Sequence, residues 1–170
     1  MPDPTSQQRC PIYALLDNVR SAWNVGSMFR TADAAGLSGL YLCGMTATPP
    51  RTDLEKTALG ATSTMPWDYW TDTLAAIRTV RERGIQVVAL ECAPGAAPFD
   101  AYPYRFPLCF LVGHEVRGIS PAVLAACDAV VAVPMYGGKE SLNVAVCFGI
   151  MAYEARRRWS VQATNSSRQA

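Results

Sequence analysis

The chain reads as an α/β fold, a single domain in which a mostly parallel sheet is covered by helices on both faces. Three observations predict it. Five short apolar runs have almost no polar side, as strands buried on both faces require. Stretches of helical spacing stand between them, the alternation that parallel strands joined by crossover helices produce. With 170 residues, 50% of them hydrophobic, the chain can bury a full core without disulfide or metal staples.

The elements follow in order. Ile12 to Asp17 is the first strand, and a helix from about Val25 to Ala35 follows, closed by Gly36. Gly39 to Cys43 is the second strand. Thr46 to Arg51 is a proline-containing loop, and Asp53 to Leu59 reads as a short helix. Asp72 to Arg83 has helical spacing, with Leu74, Ile77 and Val80 inward, and ends at Gly84. Ile85 to Leu90 is a β-branched strand. Pro94, Pro98, Pro103 and Pro107 make Ala93 to Pro107 an extended loop or edge segment. Leu108 to Val112 and Ala129 to Val133 are buried strands, joined through a short helix from Pro121 to Cys127.

A long helix from about Ser141 to Arg158 ends the domain, which spans residues 10–159 between a flexible N-terminus at 1–9 and a flexible tail at 160–170. From Leu142 to Tyr153 that helix has almost no polar face, so it must be covered on every side. One side faces the sheet, and a homodimer is predicted to cover the other.

Composition narrows the function. Charged residues make up 17% of the chain and the net charge is +1, which excludes general disorder and a dedicated non-specific nucleic-acid binder. Any nucleic-acid contact must be local. No run approaches the ~20 apolar residues of a membrane span, and Met1 to Cys10 lacks the order of a signal peptide. A cytoplasmic protein without membrane attachment is expected. The six cysteines are isolated, without a C-x-x-C pair, and read as buried reduced thiols rather than bridges or metal ligands. No metal is expected.

Three polar, glycine-containing segments stand where chemistry is expected. In Asn24-Val25-Gly26-Ser27-Met28-Phe29-Arg30, Asn24 can cap a helix and Gly26 permits close approach to the backbone. Arg30 is either a solvated or ion-paired side chain or a planar fork for a phosphate. In Gly113-His114-Glu115-Val116-Arg117-Gly118, a buried strand runs into a glycine loop before a helix capped by Ser120. Such loops form ligand crevices at the carboxyl ends of parallel strands, with Glu115 as the polar neighbour, although an ordinary surface loop has the same pattern. His114, the single histidine, has no nucleophile or carboxylate partner in sequence and reads as incidental. In the third segment, Pro134-Met135 leads to Ser141-Leu142-Asn143, where Ser141 caps the last helix and Asn143 sits in its first turn. Neither a dinucleotide fingerprint nor a P-loop occurs.

With these three segments in this order, the chain resembles the SpoU, or TrmH-like, branch of the SPOUT RNA methyltransferases over about Ile12 to Arg158. The resemblance rests on Asn24, Gly26 and Arg30, on Gly113-x-Glu115-x-x-Gly118, and on Pro134-Met135 with Ser141-Leu142-Asn143. Lys56 to Ala61 also resembles a segment of some members. It implies a C-terminal trefoil knot, which local patterning does not predict. It further implies S-adenosyl-L-methionine as cofactor, tRNA or rRNA as partner, a homodimer, and methylation of a ribose 2′-hydroxyl. Carried over by motif, Leu90, Gly113, Val133, Met135 and Leu142 would hold the cofactor. Arg30, Asn24, Glu115, Ser141 and Asn143 would form the reaction centre.

RNA contact is expected from Arg20, Arg51, Lys56 and Lys139. Trp67, Tyr69 and Trp70 are candidate stacking surfaces, with core as the competing reading for Trp67 and Trp70, and Arg156-Arg157-Arg158 reads first as favourable charge at a helix C-terminus and second as an RNA contact. Two other functions remain open: a non-catalytic knotted RNA-binding or assembly factor, and a base-directed SPOUT methyltransferase.

Overall fold

The computed structural model describes residues 9–169. Strands β1 (Cys10–Asp17), β2 (Leu37–Cys43), β3 (Trp67–Trp70), β4 (Gln86–Leu90), β5 (Ala97–Pro98), β6 (Leu108–Val112) and β7 (Ala129–Ala132) form one sheet. It has seven strands in the order β3-β2-β1-β6-β4-β7-β5, and every pairing is parallel. Helices α1 (Ala22–Ala35), α2 (Thr52–Ala58), α3 (Ala61–Thr64) and α6 (Val144–Gln169) cover one face, and α4 (Thr73–Glu82) and α5 (Pro121–Ala126) cover the other.

The central strands show why their sequences lack a polar face. In β1, Cys10, Ile12, Ala14 and Leu16 enter the core under α1 and α6, while Leu15 enters the core under α4. In β6, Leu108, Phe110 and Val112 take the first side and Cys109 and Leu111 the second. The period of two is intact, but both faces are dry, so no polar residue marks it. Phe110 meets Phe148 of α6 at 5.1 Å, which anchors the last helix to the middle of the sheet.

Several boundaries differ from the sequence reading. Ser21, not Asn24, caps α1: its side chain accepts the Asn24 N–H, and the helix starts three residues earlier. Gly36 closes α1 in the left-handed region, with φ 71°. Strand β3 and the one-turn α3 are absent from the sequence reading. The run Trp67-Asp68-Tyr69-Trp70 is an edge strand whose tryptophans are half-buried, Trp67 against Phe29, while Tyr69 stays exposed. Pro98 sits on the opposite edge, where a missing N–H costs no ladder bond.

Arg9, assigned by sequence to the N-terminal stretch, is held by Asp33 at 2.8 Å and by the carbonyls of Leu37 and Thr64 at 2.9 Å. Residues 1–8 of that stretch lie outside the described residues. At the other end, α6 continues to Gln169, through the segment read as a tail, because residues 160–169 contain no proline or glycine. Arg156-Arg157-Arg158 therefore stands in mid-helix. Its charge answers Glu154 rather than a helix end, with Arg157 and Arg158 both 2.7 Å from that carboxylate.

Candidate active site

Three strands that lie side by side, β6, β4 and β7, end together, and a cavity of about 150 Å³ opens at their carboxyl ends. Its walls come from Leu90 at the end of β4 with Glu91 and Cys92 behind it, Val112 to Val116 at and after the end of β6, Val133 after β7, and Ser141, Leu142, Val144 and Cys147 around the start of α6. A parallel sheet leaves such a crevice because each strand must hand the chain to a crossover there. The lining mixes apolar side chains with loop backbone, a surface suited to a flat, polar-edged ligand.

The loop after β6 is built for close approach. A Cβ on Gly113 would lie 2.6 Å from the Ile119 side chain and 2.8 Å from the Gly118 backbone, so only glycine fits. Gly118 turns with φ 63°, a conformation open to glycine without strain. His114 is not idle in this loop. Its Nδ1 accepts the backbone N–H groups of Val116 and Arg117 at 3.0 and 3.3 Å, which folds the turn.

At the rim, Glu115 accepts the backbone N–H of Ser21 at 2.9 Å and of Arg20 at 3.3 Å, and the Asn24 amide at 3.3 Å. Its side chain is 22% exposed. Burial pushes its carboxyl up, but these donors outweigh it and hold the group below the ordinary carboxylate range. Asn24 in turn accepts from the Asn143 amide at 3.3 Å. The first, second and third polar segments, more than ninety positions apart in the case of Asn24 and Glu115, thus meet through Asn24, Glu115 and Asn143. Asn143 also caps α6, accepting from Ala145 and Val146 at 2.8 and 3.3 Å. This corrects the assignment of the cap to Ser141, which instead lines the cavity, because the helix starts at Val144.

Of the residues carried over by motif, Leu90, Gly113, Val133, Leu142, Glu115 and Ser141 line the cavity. Met135 does not. It is half-buried outside the cavity wall. Arg30 is also apart. Two turns along α1 from Asn24, it shares a separate concavity of about 480 Å³ with Ser27, Lys56, Thr57 and Tyr153. Gly26 brings these two helices together: a Cβ there would lie 2.3 Å from the Leu54 carbonyl of α2. Arg20, Arg51, Lys56 and Lys139 are all exposed, and Arg51 is paired with Asp53 at 2.8 Å.

Sequence reading missed Glu91 and the thiols of the cavity. Glu91 follows β4 directly, and a polar residue at the carboxyl end of a buried strand was the available signal. It accepts from Ile119 N–H at 2.9 Å and Cys92 N–H at 3.0 Å, tying two loops together. The cysteines were all expected to be buried. Cys10, Cys43 and Cys109 are, but Cys92 is exposed and Cys127 and Cys147 are half-buried, because their segments leave the sheet. No group of three or more His, Cys, Asp or Glu among the described residues is placed to hold a metal ion, and no helix among them is long and apolar enough to cross a membrane.

Comparison with known proteins gives this geometry a context. A family model described as the SpoU rRNA Methylase family matches residues 11–153. A 23S rRNA (guanosine-2′-O-)-methyltransferase, RlmB, of Vibrio parahaemolyticus is 32% identical over 158 residues, covering 92% of this chain and 63% of that protein. An AdoMet-bound rRNA methyltransferase from Sinorhizobium meliloti superposes with TM-score 0.82 and 35% identity, over 86% of this chain and 56% of that one. The TrmH/SpoU tRNA modifying enzyme of A. aeolicus gives TM-score 0.84 and 27% identity, over 96% of this chain and 82% of that one. The chain thus spans less than two thirds of the curated relative's length.

Proposed function

The chain belongs to the SpoU rRNA Methylase family, and from that premise we propose that it is an S-adenosyl-L-methionine-dependent methyltransferase acting on a ribose 2′-hydroxyl of rRNA or tRNA. The observation that carries this reading is the meeting of Asn24, Glu115 and Asn143 at the rim of a cavity lined by Leu90, Gly113, Val133 and Leu142. A non-catalytic RNA-binding factor would need no such convergence. The relatives act on or bind RNA and AdoMet by name, which supports the same substrate class and cofactor. The trefoil knot and a cytoplasmic location belong to the same proposal.

The residues present fit such a cofactor. Backbone groups at the ends of β4, β6 and β7 would hold it, with Val112, Val133 and Leu142 against an apolar ring and Glu91 beside polar edges. The bound cofactor would supply an electrophilic methyl group with a good leaving group. The protein's part is to align a ribose oxygen with that methyl, a contribution of about 7–11 kcal/mol in well-oriented reactions. Asn24 and Asn143 would orient the ribose or cofactor, and Glu115 keeps the loop after β6 against the start of α1. Arg30 has two candidate roles, a proton acceptor or a cationic clamp on the developing alkoxide.

A homodimer belongs to this reading. On α6, Val146 and Tyr153 are 51% and 55% exposed in the single chain, and Trp23 of α1 is 53% exposed. A second copy covering this side would also enclose Arg30 and its neighbours Lys56 and Tyr153.

The test is transfer of labelled methyl from S-adenosyl-L-methionine to unmodified rRNA and tRNA, followed by digestion to nucleosides. A 2′-O-methylnucleoside from the unmutated chain, absent with Arg30→Ala, is expected. A methylated base would refute the ribose assignment. Arg30→Lys keeps the charge without the fork, and near-full turnover by it would eliminate both roles specific to arginine.

A further inference from the structure

Two cysteines from different elements line the same cavity. Cys92 follows Glu91 at the end of β4 and is exposed, while Cys147 stands in the first turns of α6 and is half-buried. Both belong to the wall of the cavity of about 150 Å³ described above. The other four cysteines line none of it: Cys10, Cys43 and Cys109 are strand residues buried in the core, and Cys127 closes α5 on the far face. The two elements are tied to the cavity by bonds of their own. Glu91 receives the Cys92 and Ile119 N–H groups, and the Cys147 N–H donates to the Asn143 carbonyl at 3.0 Å.

We propose that Cys92 and Cys147 form an oxidisable pair whose disulfide ties the end of β4 to the start of α6 and closes the cavity to its ligand. The bridge would shut off the proposed cofactor site, and this consequence rests on the reading given above.

The two thiols have unequal parts. Burial pushes the Cys147 thiol up, and the neighbouring Cys92 adds to that effect, so charge on one sulfur is felt by the other. Cys92, the more accessible, is the sulfur that meets a peroxide first. Its thiolate attacks one peroxide oxygen, the O–O bond breaks, and a sulfenic acid and hydroxide form. The Cys147 sulfur then attacks the Cys92 sulfur and displaces the second oxygen as hydroxide. The two thiol protons convert both hydroxides to water, and the two sulfurs together supply the two electrons that reduce the peroxide. A dithiol reductant reverses the bridge by exchange. The remaining thiols are poor competitors. Burial pushes Cys43 and Cys127 up to about 12 and Cys109 well above its ordinary value.

The reduced full chain should be exposed to hydrogen peroxide, with and without S-adenosylhomocysteine, then digested with trypsin without reduction. Arg105, Arg117 and Lys139 place Cys92, Cys109, Cys127 and Cys147 on separate peptides, so mass spectrometry identifies the partners directly. The expected product is an intrachain cross-link between the peptides of Cys92 and Cys147, absent from Cys92→Ser and Cys147→Ser. Binding of S-adenosylhomocysteine by calorimetry should weaken at least about tenfold on oxidation and return with dithiothreitol. Ligand added first should slow the cross-link. A bridge to any other cysteine, a bridge between chains, or oxidation of Cys92 without a bridge overturns the proposal. Should the reduced protein bind no S-adenosylhomocysteine while the bridge forms, the pair stands and the cofactor reading fails. Ligand binding unaffected by a formed bridge refutes the closure.

Discussion

Gly26→Ala tests whether the first polar segment is built around a helix crossing. The added Cβ would lie 2.1 Å from Thr57 Oγ1, 2.3 Å from the Leu54 carbonyl oxygen and 3.1 Å from the Ala58 nitrogen. Ordinary contact begins near ~3.5 Å, so α2 must retreat by roughly 1.2 Å from the Leu54 oxygen alone. Thr57 cannot relieve this by rotation, since the Leu54 and Ala58 atoms are backbone. Overpacking of this kind costs about 1–3 kcal/mol. Retreat also stretches the bond from Thr57 Oγ1 to the Trp23 carbonyl, 3.0 Å in the native chain, whose loss costs about 1 kcal/mol. Alanine returns about 1 kcal/mol of helix propensity. The net expectation is destabilisation by about 1–3 kcal/mol. Urea unfolding would show it as a lower midpoint at unchanged slope. A midpoint equal to or above that of the unmutated chain would mean that the α1–α2 approach is not tight, and the placement of Lys56 beside Arg30 would lose its physical basis.

Glu115→Gln should alter how stability depends on pH. The folded carboxyl lies below its ordinary 4.5, so the charged group contributes stability that is present above that value and lost as pH falls through the folded value. Asp17, raised by burial, works in the opposite sense in both proteins, so the difference between the two urea-midpoint curves isolates Glu115. That difference should be largest near neutrality and shrink below about pH 4. A constant offset across the range would refute the assignment. Tyr104→Phe removes the donor to the Phe99 carbonyl at 2.6 Å in a buried position, and should cost about 1–2 kcal/mol in thermal or urea unfolding. A cost below about 0.5 kcal/mol would show that water replaces the bond.

Much of the fold was open to sequence reading because its signals are local. Strands β1, β2, β4 and β6 are largely buried on both sides and β7 is partly so, and the apolar runs of all five appear within two residues of their observed bounds. Gly36 and Gly84 end helices because the left-handed turn each makes, with φ 71° and 74°, favours a residue without Cβ. Strand β3 escaped because an edge strand of only four residues, two of them exposed, shows neither alternation nor a continuous apolar run. The caps of α1 and α6 were each misplaced by a few residues, since Ser21, Asn24, Ser141 and Asn143 are all competent cap residues and local chemistry does not choose among them.

The sequence by itself determined the alternation of strands and helices, the three polar segments and the residue types available in each. Tertiary structure decided how those segments meet. It joined Asn24 to Glu115 and Asn143 because β1 lies beside β6 in the sheet, a neighbour relation set by packing over distances that no local pattern encodes. It kept Arg30 two turns away on α1, facing Lys56 across a gap that Gly26 makes possible. It also set Cys92 and Cys147 on one cavity, although they are remote in the chain and unremarkable in composition. Spacing along a chain records helices and strands, whose periods are short; which loops share a crevice depends on strand order, and that is fixed only when the whole core is buried at once.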